Sequence, residues 1–257
     1  MARTFMIFRH YVRRAALDPI GLLMLLAFPI GLIILNYIVM NNPYLLENLP
    51  LGDGGEDFVP DITGAAIAIM LMFQFFGGSY MNDWIYEDFR SDRRWRLFSA
   101  PISQNGIIFS ALIASWIVSI LQGSIIMVVS GIFLGANWGN IWMPVLTVLI
   151  VSAMSQFMYI LIALLTSKKK TTEAIASVII FAMMIAGGFF FNLGVENSFI
   201  DFIEGLYTPL TLAVGAIANS GAIVSDISRA MRDVGILSAV LVVLATVTAF
   251  VGRRRKI

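Results

Sequence analysis

Six strongly apolar stretches, each of 18 residues or more, hold no Asp, Glu, Lys, Arg or His: Ile20–Met40, Ile62–Asn82, Ile107–Leu134, Trp142–Leu165, Ala174–Asn192 and Val234–Val251. As helices rising about 1.5 Å per residue, such runs match a hydrocarbon layer of about 30 Å. Inside lipid the backbone must satisfy its own hydrogen bonds, which leaves the helix as the natural form for them. The expected fold is an all-α integral membrane protein with six transmembrane helices in a single domain over residues 1–257. Composition agrees. With 59% hydrophobic and 13% charged residues and a mean hydropathy of +0.86, the chain has too little polar surface to cover a soluble globule.

The segments between the runs carry the remaining information. In residues 1–17, Arg3, Arg9, Arg13 and Arg14 alternate with Phe5, Phe8, Val12, Ala15 and Ala16 at helical spacing. This predicts an N-terminal interfacial helix with its arginines among lipid headgroups and His10 as an ordinary interfacial side chain. The first apolar run is longer than a signal-peptide core and no small-x-small cleavage site follows it. Residues 193–233 predict an extracellular re-entrant segment: Ser198–Leu206 reads as a short amphipathic helix, and Pro209–Ala218 is apolar but too short to cross. A third short helix is expected there, with Val224, Ile227 and Met231 on one side. On its other side Asp226 with Arg229, and Arg229 with Asp233, stand at pairing distance.

Between the second and third runs lies a polar stretch, residues 83–106, with eight charges and embedded aromatics. With six spans, 15 of the 17 Lys and Arg residues fall on one side, leaving only Arg229 and Arg232 on the other. The positive-inside bias therefore predicts a multi-pass protein of the cell membrane with both termini and residues 83–106 cytoplasmic. Trp138 and Trp142 fit an aromatic belt at the other surface.

The same inventory excludes several chemistries. There is no Cys and one His, so neither a thiolate nor an imidazole metal cluster is expected. No phosphate loop, zinc-protease helix, nucleophile elbow or dinucleotide fingerprint occurs, so no catalytic residues are assigned and the chain is not expected to be an enzyme. No nucleic-acid partner is expected. The six runs also lack the buried charges that ion-driven carriers use, which points to an energy source outside the chain.

The six runs, the interfacial helix, the charged cytoplasmic loop and the extended segment before the last run together resemble a permease subunit of the ABC-2 superfamily. The loop carries the motif: Glu87, the Arg-rich segment from Arg93 to Arg96, and the turn Ala100-Pro101-Ile102-Ser103. The resemblance implies an exporter in which a separate ABC ATP-binding subunit docks under the membrane, with ATP and Mg on that subunit and no cofactor bound by this chain. It also implies a second permease protomer, identical or homologous, in contact with membrane lipid. A coupling helix in the loop would use Glu87, Asp88, Arg90 and Asp92 for charged contacts and Trp95 and Phe98 as anchors. A solvated connector is the plain alternative.

By the same resemblance the substrate path would lie between the second and fifth spans. Phe73, Gln74, Phe76, Tyr80, Phe181, Met183 and Met184 would line it for an amphiphilic drug, antimicrobial peptide or lipid-like molecule, though such a stripe also packs ordinary membrane helices. Phe189, Phe190, Phe191 and Asn192 would form an outer gate, or simply an aromatic belt. A non-pumping immunity or assembly protein and an ATP-independent channel or carrier remain the competing classes. An importer permease is a weaker alternative.

Overall fold

The computed structural model describes residues 2–42, 62–92, 94–95, 104–187 and 207–254. In chain order the helices are α1 (Ala2–Ala16), α2 (Pro19–Met40), α3 (Ile62–Phe89), α4 (Gln104–Leu134), α5 (Trp142–Leu165), α6 (Lys169–Ala186), α7 (Pro209–Ala218) and α8 (Ile227–Arg254). Five of them are long and apolar enough to cross a membrane: α2, α3, α4 (from Gly106), α5 and α8. The fifth expected span corresponds to α6, whose first turns carry Lys169, Lys170 and Glu173.

Local chemistry explains the helix boundaries and breaks. Asp18 caps α2 by accepting from the Ile20 N–H at 3.2 Å, with Pro19 following it. Within α2 a wider turn at Leu23–Ala27 precedes Pro29, where an ordinary turn would press the ring on the Leu25 carbonyl. In α3 the ladder breaks at Gly77 and Gly78, and the Ser155 hydroxyl of α5 is inserted there. It donates to the Phe75 carbonyl at 2.5 Å and accepts from the Gly78 N–H at 2.7 Å. A side chain entering the ladder is a recognised cause of a kink.

Two expected boundaries are corrected. The second span does not stop at Asn82: its helix continues to Phe89, ending in a second wide turn at Ile85–Phe89. The expected third short helix and sixth span are one helix from Ile227, capped by Asp226 accepting the Arg229 N–H at 3.1 Å. Arg229 pairs with Asp226 at 3.1 Å, whereas Asp233 pairs with Arg232, also at 3.1 Å, so the expected Arg229–Asp233 pair is replaced. Ser198–Leu206 lies outside the described residues.

Lipid gives helices little hydrophobic reason to associate, so close backbone approach and polar contacts must hold them together. The interior follows that rule. A core drawn from all the helices α2 to α8, including Ile33, Ile67, Ile126, Val151, Ile180, Leu210 and Leu237, forms the larger buried cluster. A second cluster packs α1 through Tyr11 and Ala15 against Trp84, Ile85, Ile107 and Ala111. At the end of the bundle opposite α1, the Asn137 amide donates to the carbonyls of Gly221 and Ala222 at 3.3 and 3.2 Å, which ties the α4–α5 turn to the α7–α8 turn.

Candidate functional site

The residues Phe73, Phe76 and Tyr80 recur at i, i+3 and i+7 and so share one face of α3. That face looks onto a cavity of about 990 Å³ walled by α2, α3 and α6, with Leu210 of α7 on its border. Phe181 and Met184 of α6 complete the predicted lining. The rings form a continuous ladder across three helices: Phe28 to Phe73 at 5.7 Å, Phe73 to Phe76 at 6.1 Å, and Phe76 to Phe181 at 6.3 Å. Such centroid spacings suit edge-to-face and tilted pairs. Polar groups join the wall at the α1 end: Asp18, Ser79, Tyr80, Asp83 and Glu173.

Gln74 and Met183 lie elsewhere. One position from Phe73, Gln74 is turned about 100° around the helix, and it enters a seam between α3, α4 and α5. Its amide donates to the Ser119 carbonyl at 2.8 Å and to the Ser152 hydroxyl, while Gln156 accepts from Ser115 at 2.6 Å and donates to Ser119 at 3.2 Å. Met183 packs against the central core. Replacing Gln74 with Met is thus expected to lower stability by about 1 kcal/mol. Thermal unfolding in detergent reads that loss, and the range of substrates handled should stay the same.

Below the cavity, a charged clamp gathers four helices. Arg14 of α1 donates to Asp88 at 2.9 Å and to Glu87. Lys169, at the start of α6, lies 2.9 Å from Asp83 and 3.9 Å from both Glu87 and Glu173. Arg90 reaches under α5, donating to the carbonyls of Ala163 and Thr166 at 2.6 Å each and to the Tyr86 hydroxyl at 2.9 Å. A guanidinium on the last carbonyls of a helix satisfies its orphan acceptors and opposes its dipole. Tyr86 also meets the hydroxyls of Thr166 and Thr172 at 3.1 and 2.9 Å. Burial, and then the neighbouring Asp88 carboxylate, push the Tyr11 phenol of α1 well above its usual range, so it stays neutral.

Of the residues expected to meet an ATPase, Glu87, Asp88 and Arg90 are therefore engaged within the chain, while Asp92 and Trp95 are exposed, Trp95 at 63%. Arg94 lies over the Trp95 ring at 4.8 Å. Phe98 and the gate residues Phe189, Phe190, Phe191 and Asn192 fall outside the described residues, as does the Ala100–Ser103 turn. Sequence reasoning passed over Arg14, Lys169, Tyr86 and Thr172 as partners of the loop. Their signal was faint: Arg14 is one arginine among four near the N-terminus, and Lys169 one of three adjacent lysines.

Among curated proteins the chain finds no match. A family described as ABC-2 family transporter protein matches residues 37–250, a stretch that takes in every helix from α3 to α7, most of α8 and the end of α2. With that match, the apolar spanning helices and the clamp at the end of α3, the chain belongs to the ABC-2 transporter family, as a multi-pass membrane protein.

Proposed function

We propose that the chain is the permease subunit of an ATP-driven exporter that moves an amphiphilic substrate outward by alternating access. Family membership implies work with an ABC ATP-binding subunit, and ATP with its magnesium belongs to that subunit. A second protomer would face this one across the α2, α3 and α6 side. In this reading α6 is a sixth crossing, and both termini lie in the cytoplasm with the clamp.

The observation that carries the reading is the position of the clamp. The exposed Asp92 and Trp95 follow directly on α3, and the residues just before them bolt α1, α5 and α6 to the end of α3. Force applied after Phe89 is thereby delivered to α3 and α6, two walls of the cavity. For a near-complete switch between inward-open and outward-open forms, ATP must favour one over the other by about 5.5 kcal/mol. A rigid junction loses little of that in bending.

The test is reconstitution with the partner ATPase in proteoliposomes. Replacing Asp92 and Trp95 together with Ala should lower substrate-stimulated ATP hydrolysis about 30-fold, the effect of removing an interface hot spot worth roughly 2 kcal/mol. Insertion and thermal stability should be unchanged because both side chains are exposed. Full coupling in the double variant, or transport by the purified chain without any ATPase, would defeat the proposal and favour the carrier.

A further inference from the structure

The cavity is apolar along most of its wall and carries three carboxylates at one end: Asp18, Asp83 and Glu173. They come from the α1–α2 junction, α3 and α6. Among the described residues no Lys, Arg or His lines it. Lys169 is not among the lining residues but pairs with two of these carboxylates, at 2.9 Å from Asp83 and 3.9 Å from Glu173, and lies 3.9 Å from Glu87. Glu87 also carries Arg14, so one lysine stands against the lining groups Asp83, Glu173 and Asp18, which leaves the acidic end negative. Asp18 has its Oδ1 on the Ile20 N–H and has no cation among its described partners. Above these acids stand Tyr80, Phe76, Phe73 and Phe28, whose ring faces attract positive charge and whose edges pack against apolar bodies.

We infer that this cavity selects cationic amphiphiles: molecules with one positive charge, an amine or a delocalised onium, on an apolar body of a few rings. The volume, about 990 Å³, is at the upper end of pockets that hold a single drug-sized ligand. An anion of the same shape meets three carboxylates offset by the single charge of Lys169, which Asp83 and Glu173 already hold, and like-charge juxtaposition is an effective means of rejection. A neutral molecule gains the ring contacts alone. This substrate class rests on the permease reading, but the binding it predicts needs no ATPase.

The probe is the isosteric pair tetraphenylphosphonium and tetraphenylborate, with triphenylphosphine oxide as the neutral member. Equilibrium dialysis of the purified full chain in uncharged maltoside micelles, against an empty-micelle blank, measures each. Tetraphenylphosphonium is expected to bind saturably and at least tenfold more tightly than tetraphenylborate, as expected for partly screened charges a few ångströms apart. The double variant Asp18→Asn with Glu173→Gln keeps the shapes and the α2 cap and removes two charges. It should weaken the cation about tenfold and leave the neutral probe unchanged.

Equal binding of cation and anion by the native chain would overturn the inference, a result that needs no variant to fold. So would saturable cation binding that the double variant leaves intact. ATP-driven export of some other substrate, with no cation binding, would sink the substrate class while sparing the permease. Selective cation binding by a chain whose transport no ABC ATP-binding subunit energises in proteoliposomes would do the reverse.

Discussion

Replacing Gly78 with alanine is expected to destabilise the protein by about 3 kcal/mol, the upper part of the usual range for overpacking, while Gly31→Ala leaves it unchanged or slightly more stable. A Cβ on Gly78 would stand 2.5 Å from the Ser155 carbonyl oxygen and 2.5 Å from the Tyr159 ring, and one of those neighbours is backbone that cannot swing aside. Moving α5 away would also withdraw the Ser155 hydroxyl from the break in α3 and orphan the Phe75 carbonyl and the Gly78 N–H, both buried. A Cβ on Gly31 meets nothing within 4 Å. Thermal unfolding of the two purified variants in one detergent decides it: a Gly78→Ala midpoint equal to that of the native chain would show that the α3–α5 contact yields easily. Activity should fall with stability here, because the kink sets which face of α3 meets the cavity.

The spans were legible because a hydrocarbon layer leaves few options: Pro19–Met40, Gly106–Leu134 and Trp142–Leu165 fall within two residues of their expected bounds. The end of α3 was missed because charge was read as loop. Yet Tyr80 and Met81, Trp84 and Ile85, then Asp88 and Phe89 are buried at i, i+4 and i+8, a helical period running straight through the acids. Asp226, three residues ahead of Arg229, was likewise a cap, taken in the sequence for part of a separate short helix. Within the site, the family resemblance named Phe73, Gln74, Phe76 and Tyr80 together; the i, i+3, i+7 spacing of the three aromatics turns them to the cavity, whereas Gln74 faces the neighbouring helices. Its partners, Ser119 and Ser152, lie 45 and 78 residues away, and no local pattern announces a contact of that range. The acidic end of the cavity had the same difficulty, since its three carboxylates come from segments that only the packing of α2, α3 and α6 brings together.

Replacing Arg14 with alanine should cost about 3 kcal/mol and uncouple α1 from the rest of the clamp. The physical reason is asymmetric. The Asp88 side chain is only 11% exposed, and removing its cation leaves a buried carboxylate unpaired, the expensive half of any buried ion pair. Glu87, with its side chain 43% exposed, contributes little, because water screens what Arg14 offers it. Restoring neutrality instead of the cation should therefore recover most of the loss: Arg14→Ala with Asp88→Asn is expected to regain about 2 kcal/mol relative to Arg14→Ala alone. Lysine at position 14 should rescue only in part, since one ammonium cannot present the two-pronged contact that the guanidinium makes to Asp88 and Glu87 together. Stability and coupling then separate. The neutralised double variant should unfold near the native temperature yet show weakened ATP-driven transport, because α1 remains packed through Tyr11 and Ala15 but no longer moves with the end of α3. Native transport in that double variant would mean that the Tyr11 and Ala15 packing alone transmits the motion, and the ionic part of the clamp would be a static fastening.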